Sequence, residues 1–110
     1  MNVKNLIDAL ELEVICGGEL AEQRQISGGY CGDLLSWVMS KAKEGDCWLT
    51  VMGNVNSVGV AVLADVACIL LTENAAFDED ALARAKQNNV IVLRSSKDAF
   101  TLSAEIAKML

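Results

Sequence analysis

The sequence predicts a single α/β domain with a short, mainly parallel sheet flanked by helices. Two apolar runs, Cys47 to Met52 and Val66 to Leu71, have the length and composition of strands covered on both faces. Between them lie a Gly53-Asn54 loop and an apolar stretch, Asn56 to Leu63, that fits the helical crossover parallel neighbours require. The chain has 110 residues, 53% hydrophobic and 22% charged, which suits one hydrophobic core and not a disordered segment.

The elements follow in order. Asn2 is placed to cap a first helix, because Val3, Leu6, Ile7 and Leu10 recur at i, i+3, i+4 and i+7. Leu12 to Ile15 is a short strand ended by Gly17-Gly18. A polar stretch, Glu19 to Gln25, leads into the glycine-rich segment Ile26 to Gly32, which reads as a turn. Asp33 is placed to cap a second helix carrying Leu34, Leu35, Trp37, Val38 and Met39. Lys43 to Asp46 is a turn before the Cys47 strand.

After the Val66 strand, Asp78, Glu79 and Asp80 open a helix whose positive N-terminal end favours acids. Ala81, Leu82 and Ala85 face inward, and Asn88-Asn89 ends the helix in a left-handed conformation. Val90 to Leu93 is the last strand. Ser96 caps a final helix with Leu102, Ile106 and Leu110 on one side. The order is α, β, a turn segment, then α-β-α-β-α-β-α, with no internal linker or repeat.

Composition narrows the function classes. The chain has no histidine, which removes the commonest general base and metal ligand. A net charge of -6 argues against nucleic-acid and anionic-membrane partners, which need clustered Lys and Arg. No run approaches the ~20 apolar residues of a membrane span. Met1-Asn2-Val3-Lys4 passes directly into an amphipathic pattern, without the apolar region of a signal peptide. A cytoplasmic location with reduced thiols is therefore expected.

The motifs carry little chemistry. Gly28, Gly29 and Gly32 precede a helix, but their spacing matches neither GxGxxG nor a phosphate loop. Asp33 beside them would repel a phosphate. Cys16, Cys31, Cys47 and Cys68 are 15, 16 and 21 residues apart, whereas iron–sulfur sites draw several ligands from one loop. They read as small buried residues, and Trp37 and Trp48 as core or interface packing. No catalytic residue, metal or cofactor is expected.

The sheet edge is the better place for a ligand. If the central strands are adjacent and parallel, the loops after them converge at one edge. Those loops supply Gly53, Asn54, Asn56 and Ser57, then Thr72, Glu73 and Asn74, then Arg94, Ser95 and Ser96. The competing reading, which carries more weight, makes Asn54 or Asn56 and Ser96 ordinary helix caps.

These residues, in this order, resemble the DRTGG domain family and, more distantly, the N-terminal domain of HPr kinase. The resemblance is carried by Leu10 to Gly18, Ile26 to Tyr30, Lys43 to Asp46, Gly53, Leu70-Leu71-Thr72, Asn89 to Leu93 and Asp98-Ala99-Phe100. It covers nearly the whole chain. The family pattern has Gly-Asp-Arg where this chain has Gly53-Asn54-Val55, and Thr-Gly-Gly where it has Thr72-Glu73-Asn74. Such domains sit beside regulatory CBS modules, a pyrophosphatase or a phosphotransacetylase-like region, as accessory or dimerising units. Free-standing copies of this length resemble small proteins encoded near iron-only hydrogenases.

The resemblance implies a non-enzymatic regulatory or interaction module that self-associates. The alternative is a sensor for a nucleotide or phosphorylated metabolite at the sheet edge. A weaker alternative is an iron–sulfur or hydrogenase-accessory protein. Self-association is expected as a homodimer through Val55 to Leu63, which has too few polar positions for a helix showing one face to water. Burial of that helix within the monomer, with Val58 and Ala61 in the core, is the competing expectation.

Overall fold

The computed structural model describes residues 1–110. The elements are α1 (Val3–Leu10), β1 (Glu13–Cys16), β2 (Gly28–Cys31), α2 (Leu35–Lys41), β3 (Asp46–Thr50), α3 (Val55–Ala64), β4 (Cys68–Leu71), α4 (Glu79–Gln87), β5 (Val92–Arg94) and α5 (Ala99–Met109). A single 3-10 turn, Gly18–Leu20, follows β1. The strands form one sheet in the order β1-β5-β4-β3-β2. Strands β2 to β5 are parallel, and β1 runs antiparallel to β5.

Alternation along the strands divides the core in two. Cys47, Leu49, Cys68, Leu70 and Leu93 face a layer built by Val3 and Leu6 of α1 and Leu102 and Ile106 of α5. Trp48, Ile69, Leu71 and Val92 face the other layer, with Val38 of α2, Val58, Val60 and Ala61 of α3, and Ala81 and Ala85 of α4. Every residue of β3 and β4 is buried, which explains the apolar run of β4 and of Cys47-Trp48-Leu49 in β3. Local chemistry sets the helix ends. Asn2 and Asn5 bond reciprocally at the start of α1, at 2.8 and 2.9 Å. Asp65 closes α3 in the left-handed region at φ 56, and Asn89 does the same after α4, also at φ 56.

Four expectations need correction. The glycine-rich turn is in part a strand: β2 pairs in register with β3, from Gly28 opposite Asp46 to Cys31 opposite Leu49. Glycine carries no strand signal, so tertiary pairing decides there. Asp33 does not cap α2, whose first position follows Leu34. Instead Asp33 Oδ1 accepts from the Thr50 hydroxyl at 2.7 Å and the Val51 N–H at 2.9 Å. Ser96 does not cap α5; Asp98 takes that place, while Ser95 Oγ accepts the Lys97 N–H at 3.1 Å in the preceding turn. Cys31 is exposed, on the outermost strand, whereas the other three cysteines are buried.

Candidate functional site

The chain leaves β4 for α4 on one face of the sheet and leaves β5 for α5 on the other. That split opens a crevice at the C-terminal edge between β4 and β5, where α/β sheets take ligands. The loops after β3, β4 and β5 do meet there. Glu73 N–H donates to the Lys97 carbonyl and Asn74 N–H to the Ser95 carbonyl, both at 2.9 Å. Thr72, itself buried, donates its N–H to Thr50 at 3.1 Å. The crevice is thus laced shut by backbone bonds.

The first loop is fixed by sterics and a cap. The Gly53 carbonyl accepts the Asp78 N–H at 2.8 Å. A Cβ at Gly53 would run into the Ala76 carbonyl and come within 3.0 Å of Phe77 Cα, so this crossing requires glycine. Asn54 caps α3 by accepting the Ser57 N–H at 3.1 Å. Ser57 is fully buried and donates its hydroxyl to the Met52 carbonyl at 2.6 Å. Both side chains are structural, as the capping alternative holds for Asn54. Asn56 is exposed on the outer face of α3 and turned away from the edge.

Arg94 is the cation at the edge, and it is engaged. Its guanidinium forks onto Glu13 at 3.0 and 2.8 Å and reaches the Ala75 carbonyl at 3.2 Å. The pair holds the Glu13 carboxyl below its ordinary pKa and pushes Arg94 further up. Beside it is a hollow of about 300 Å³ lined by Glu11, Glu13, Asn74, Arg94, Ser95, Ser96 and Lys97. Lys97 is itself paired with Glu105 at 2.9 Å. Glu13, Thr50 and Lys97 at this edge were missed by sequence reasoning and Asp33 was read only as a helix cap, because nothing local to them signals a long-range partner.

The cysteines do not converge. Cys16 donates to the Val90 carbonyl at 3.5 Å, and Cys47 and Cys68 touch each other at 3.7 Å in adjacent strands. The Cys68 contact and burial push the Cys47 thiol well up, away from thiolate chemistry. No three His, Cys, Asp or Glu side chains gather as a metal site, so the iron–sulfur alternative lacks a ligand set.

A second surface lies on α2 and α3. Leu63 is 72% exposed, Leu34 59% and Trp37 58%. Leu63 walls a groove of about 600 Å³ together with Leu35, Met39, Val55, Gly59 and Val60, whereas Leu34 and Trp37 lie outside its lining. The homodimer expectation is corrected in one respect: Val58 and Ala61 belong to the core, and the open face of α3 is Asn56, Gly59, Val62 and Leu63. No helix is long and apolar enough to cross a membrane.

The family model of the DRTGG domain matches residues 5–109. The chain belongs to the DRTGG domain family. Among curated proteins none matches. Among solved structures, the chain is similar to the CBS and DRTGG domains of the regulatory region of Clostridium perfringens pyrophosphatase, complexed with its activator, diadenosine tetraphosphate. The TM-score is 0.69 at 19% identity, over 98% of this chain and 46% of that one. This DRTGG chain therefore spans about half the length of that neighbour, and at such identity the likeness shows the fold. Where the DRTGG pattern has paired glycines, Glu73 and Asn74 of this chain have left-handed backbones at φ 56 and 54.

Proposed function

We propose that this DRTGG domain is a non-catalytic regulatory module that acts in the cytoplasm by self-association through the outer face of α2 and α3. The observation that carries the proposal is an open groove between α2 and α3 walled by the half-exposed Met39 and the exposed Leu63. Leu63 protrudes one helical turn from Gly59, where an added methyl group would have no neighbour within 4 Å. Antiparallel pairing of two α3 helices about a two-fold axis seats Leu63 of one copy on Gly59 of the other. No acid lines the groove, which suits contact between two copies of an acidic chain. Sedimentation equilibrium at micromolar concentration should return a dimer mass. Leu63→Glu should give a folded monomer, whereas Val58→Glu should unfold the chain. A monomer mass for the native protein sinks the proposal.

A second reading is favoured by the split of α4 and α5 at the sheet edge. Here the module senses a nucleotide or phosphorylated metabolite through Gly53, Thr72, Glu73, Asn74, Arg94, Ser95 and Ser96, with Asn54 and Ser57 only shaping the first loop and Asn56 outside the site. The activator on the neighbour's regulatory region points to the same ligand class. The laced loops and the Glu13–Arg94 pair weigh against it, since a ligand must first displace them. A thermal-shift series with ATP, AMP and diadenosine tetraphosphate decides, because a ligand bound only to the folded state raises its stability. Arg94→Ala should weaken an anionic ligand by roughly 1.5–3 kcal/mol. No shift at millimolar nucleotide removes this reading.

A further inference from the structure

We infer that the groove between α2 and α3 binds an amphiphilic monocarboxylate, a medium-chain fatty acid in kind, which seats its carboxylate on Arg84 and releases the second copy. The release rests on the self-association proposed above; the binding does not.

The groove is uneven in charge. Of its nine lining residues Arg84 alone is charged, and it reaches in from α4. The chain has three arginines, and the other two are engaged. Arg94 grips Glu13, and Arg24 donates to the Asn89 carbonyl at 3.0 Å. The three ion pairs of the chain join Lys4 to Asp8, Arg94 to Glu13 and Lys97 to Glu105, so Arg84 has no carboxylate partner. Asp80, one turn earlier in α4, has the spacing to neutralise it. Its Oδ1 instead accepts the Ala81 N–H at 2.9 Å.

The rest of the lining is apolar or neutral. Leu35 and Met39 come from α2, and Val55, Val60 and Leu63 from α3. Over Gly59 the groove is open, since an added Cβ would meet nothing within 4 Å. A mostly apolar groove of about 600 Å³ with one charged group has the make-up of a small-ligand site. From Val55 to Leu63 the helix rises about 12 Å, room for an aliphatic chain of medium length. One guanidinium matches one carboxylate through two parallel N–H···O bonds. A phosphate dianion would leave a charge unpaired beside apolar side chains. The net charge of -6 opposes any anion, but at about 0.15 M salt that opposition fades beyond about 8 Å, and no carboxylate lines the groove. The ligand and Leu63 of a second copy claim the same space over Gly59, so each excludes the other.

Isothermal titration calorimetry of the native chain with octanoate, octanol and octylamine tests the binding. Octanoate should bind, octanol about tenfold more weakly, and octylamine not at all. Hexanoate, shorter by two methylenes, should bind roughly tenfold more weakly than octanoate. Arg84→Gln removes a guanidinium that bonds to no other group of the chain, so the fold persists and octanoate affinity should fall to that of octanol. In sedimentation equilibrium, saturating octanoate should turn the dimer into a monomer, and octylamine should leave it a dimer. Octanoate binding that is absent, no tighter than that of octylamine, or unchanged in Arg84→Gln overturns the inference. A dimer that persists at saturating octanoate overturns the release. A ligand-free chain that is already a monomer sinks self-association, while octanoate binding that depends on Arg84 still upholds the ligand site.

Discussion

The loop after β3 and the loop after β4 sit side by side at one sheet edge and hold their shapes by different means. At Gly53 the constraint is space: the Ala76–Phe77 backbone crosses where a Cβ would stand. At Glu73 and Asn74 the constraint is torsion: both residues are left-handed, with no glycine to relieve them. A torsional demand can be met by a non-glycine residue at a cost of about 1–2 kcal/mol, repaid by bonds such as those to Lys97 and Ser95. A backbone crossing leaves no such option, because both partners are main chain. The resemblance fits the same logic: the glycine that opens the Gly-Asp-Arg pattern is present, and the two that close Thr-Gly-Gly are not.

Gly53→Ala puts the largest strain on this contrast. The added methyl must push apart two backbone segments joined by the Asp78 to Gly53 hydrogen bond. Overpacking of this kind should destabilise by about 3 kcal/mol in urea denaturation. A loss under about 1 kcal/mol would mean the crossing slides freely, and the spatial constraint at Gly53 would be no stricter than the torsional one.

How much of this edge was legible in the sequence depended on range. The two central strands and the helix between them announced themselves through apolar runs, because each is covered on both faces. Asn54 was legible as a cap because its partner, Ser57, is three residues away. Strand β2 was not legible: its glycines show no propensity, and pairing with β3 alone defines it. Asp33 looked like a cap because an acid before an apolar run usually is one. Its real partners, Thr50 and Val51, are 17 and 18 residues away. For the same reason Arg94 looked like a free cation, since its carboxylate lies 81 residues earlier. The inward side of α3 was hidden by a helix apolar on every side, which lets sequence say that cover is needed but not which face the core supplies.

A smaller effect of opposite sign is expected at the torsional turn. Glu73→Gly removes the left-handed penalty but returns chain entropy to the unfolded state, so the two changes partly cancel. The exposed Glu73 side chain adds no contact to lose. A net gain of up to about 1 kcal/mol is expected from the urea midpoint. A loss would show that this turn, like the one at Gly53, depends on more than its backbone angles.

The smallest effect concerns the ion pair that backs the second loop. Arg94 grips Glu13 and also the Ala75 carbonyl just past the Glu73-Asn74 turn. Its hydrogen bond holds the Glu13 carboxyl below the ordinary value of 4.5. A depressed carboxyl pKa means the unfolded chain takes up this proton more readily than the folded one. The stabilisation is therefore complete above pH 4.5 and fades as the pH falls through the lower folded value. Glu13 is exposed to solvent, so the effect is modest and screened by salt. The native chain and Glu13→Gln should differ in urea midpoint at pH 7 and low salt, and the difference should shrink towards pH 3. A difference that persists at pH 3 would assign it to packing. No difference at any pH would leave the turn to its backbone bonds with Lys97, Ser95 and Thr72, and its distance from the sterically fixed Gly53 would then be wider still.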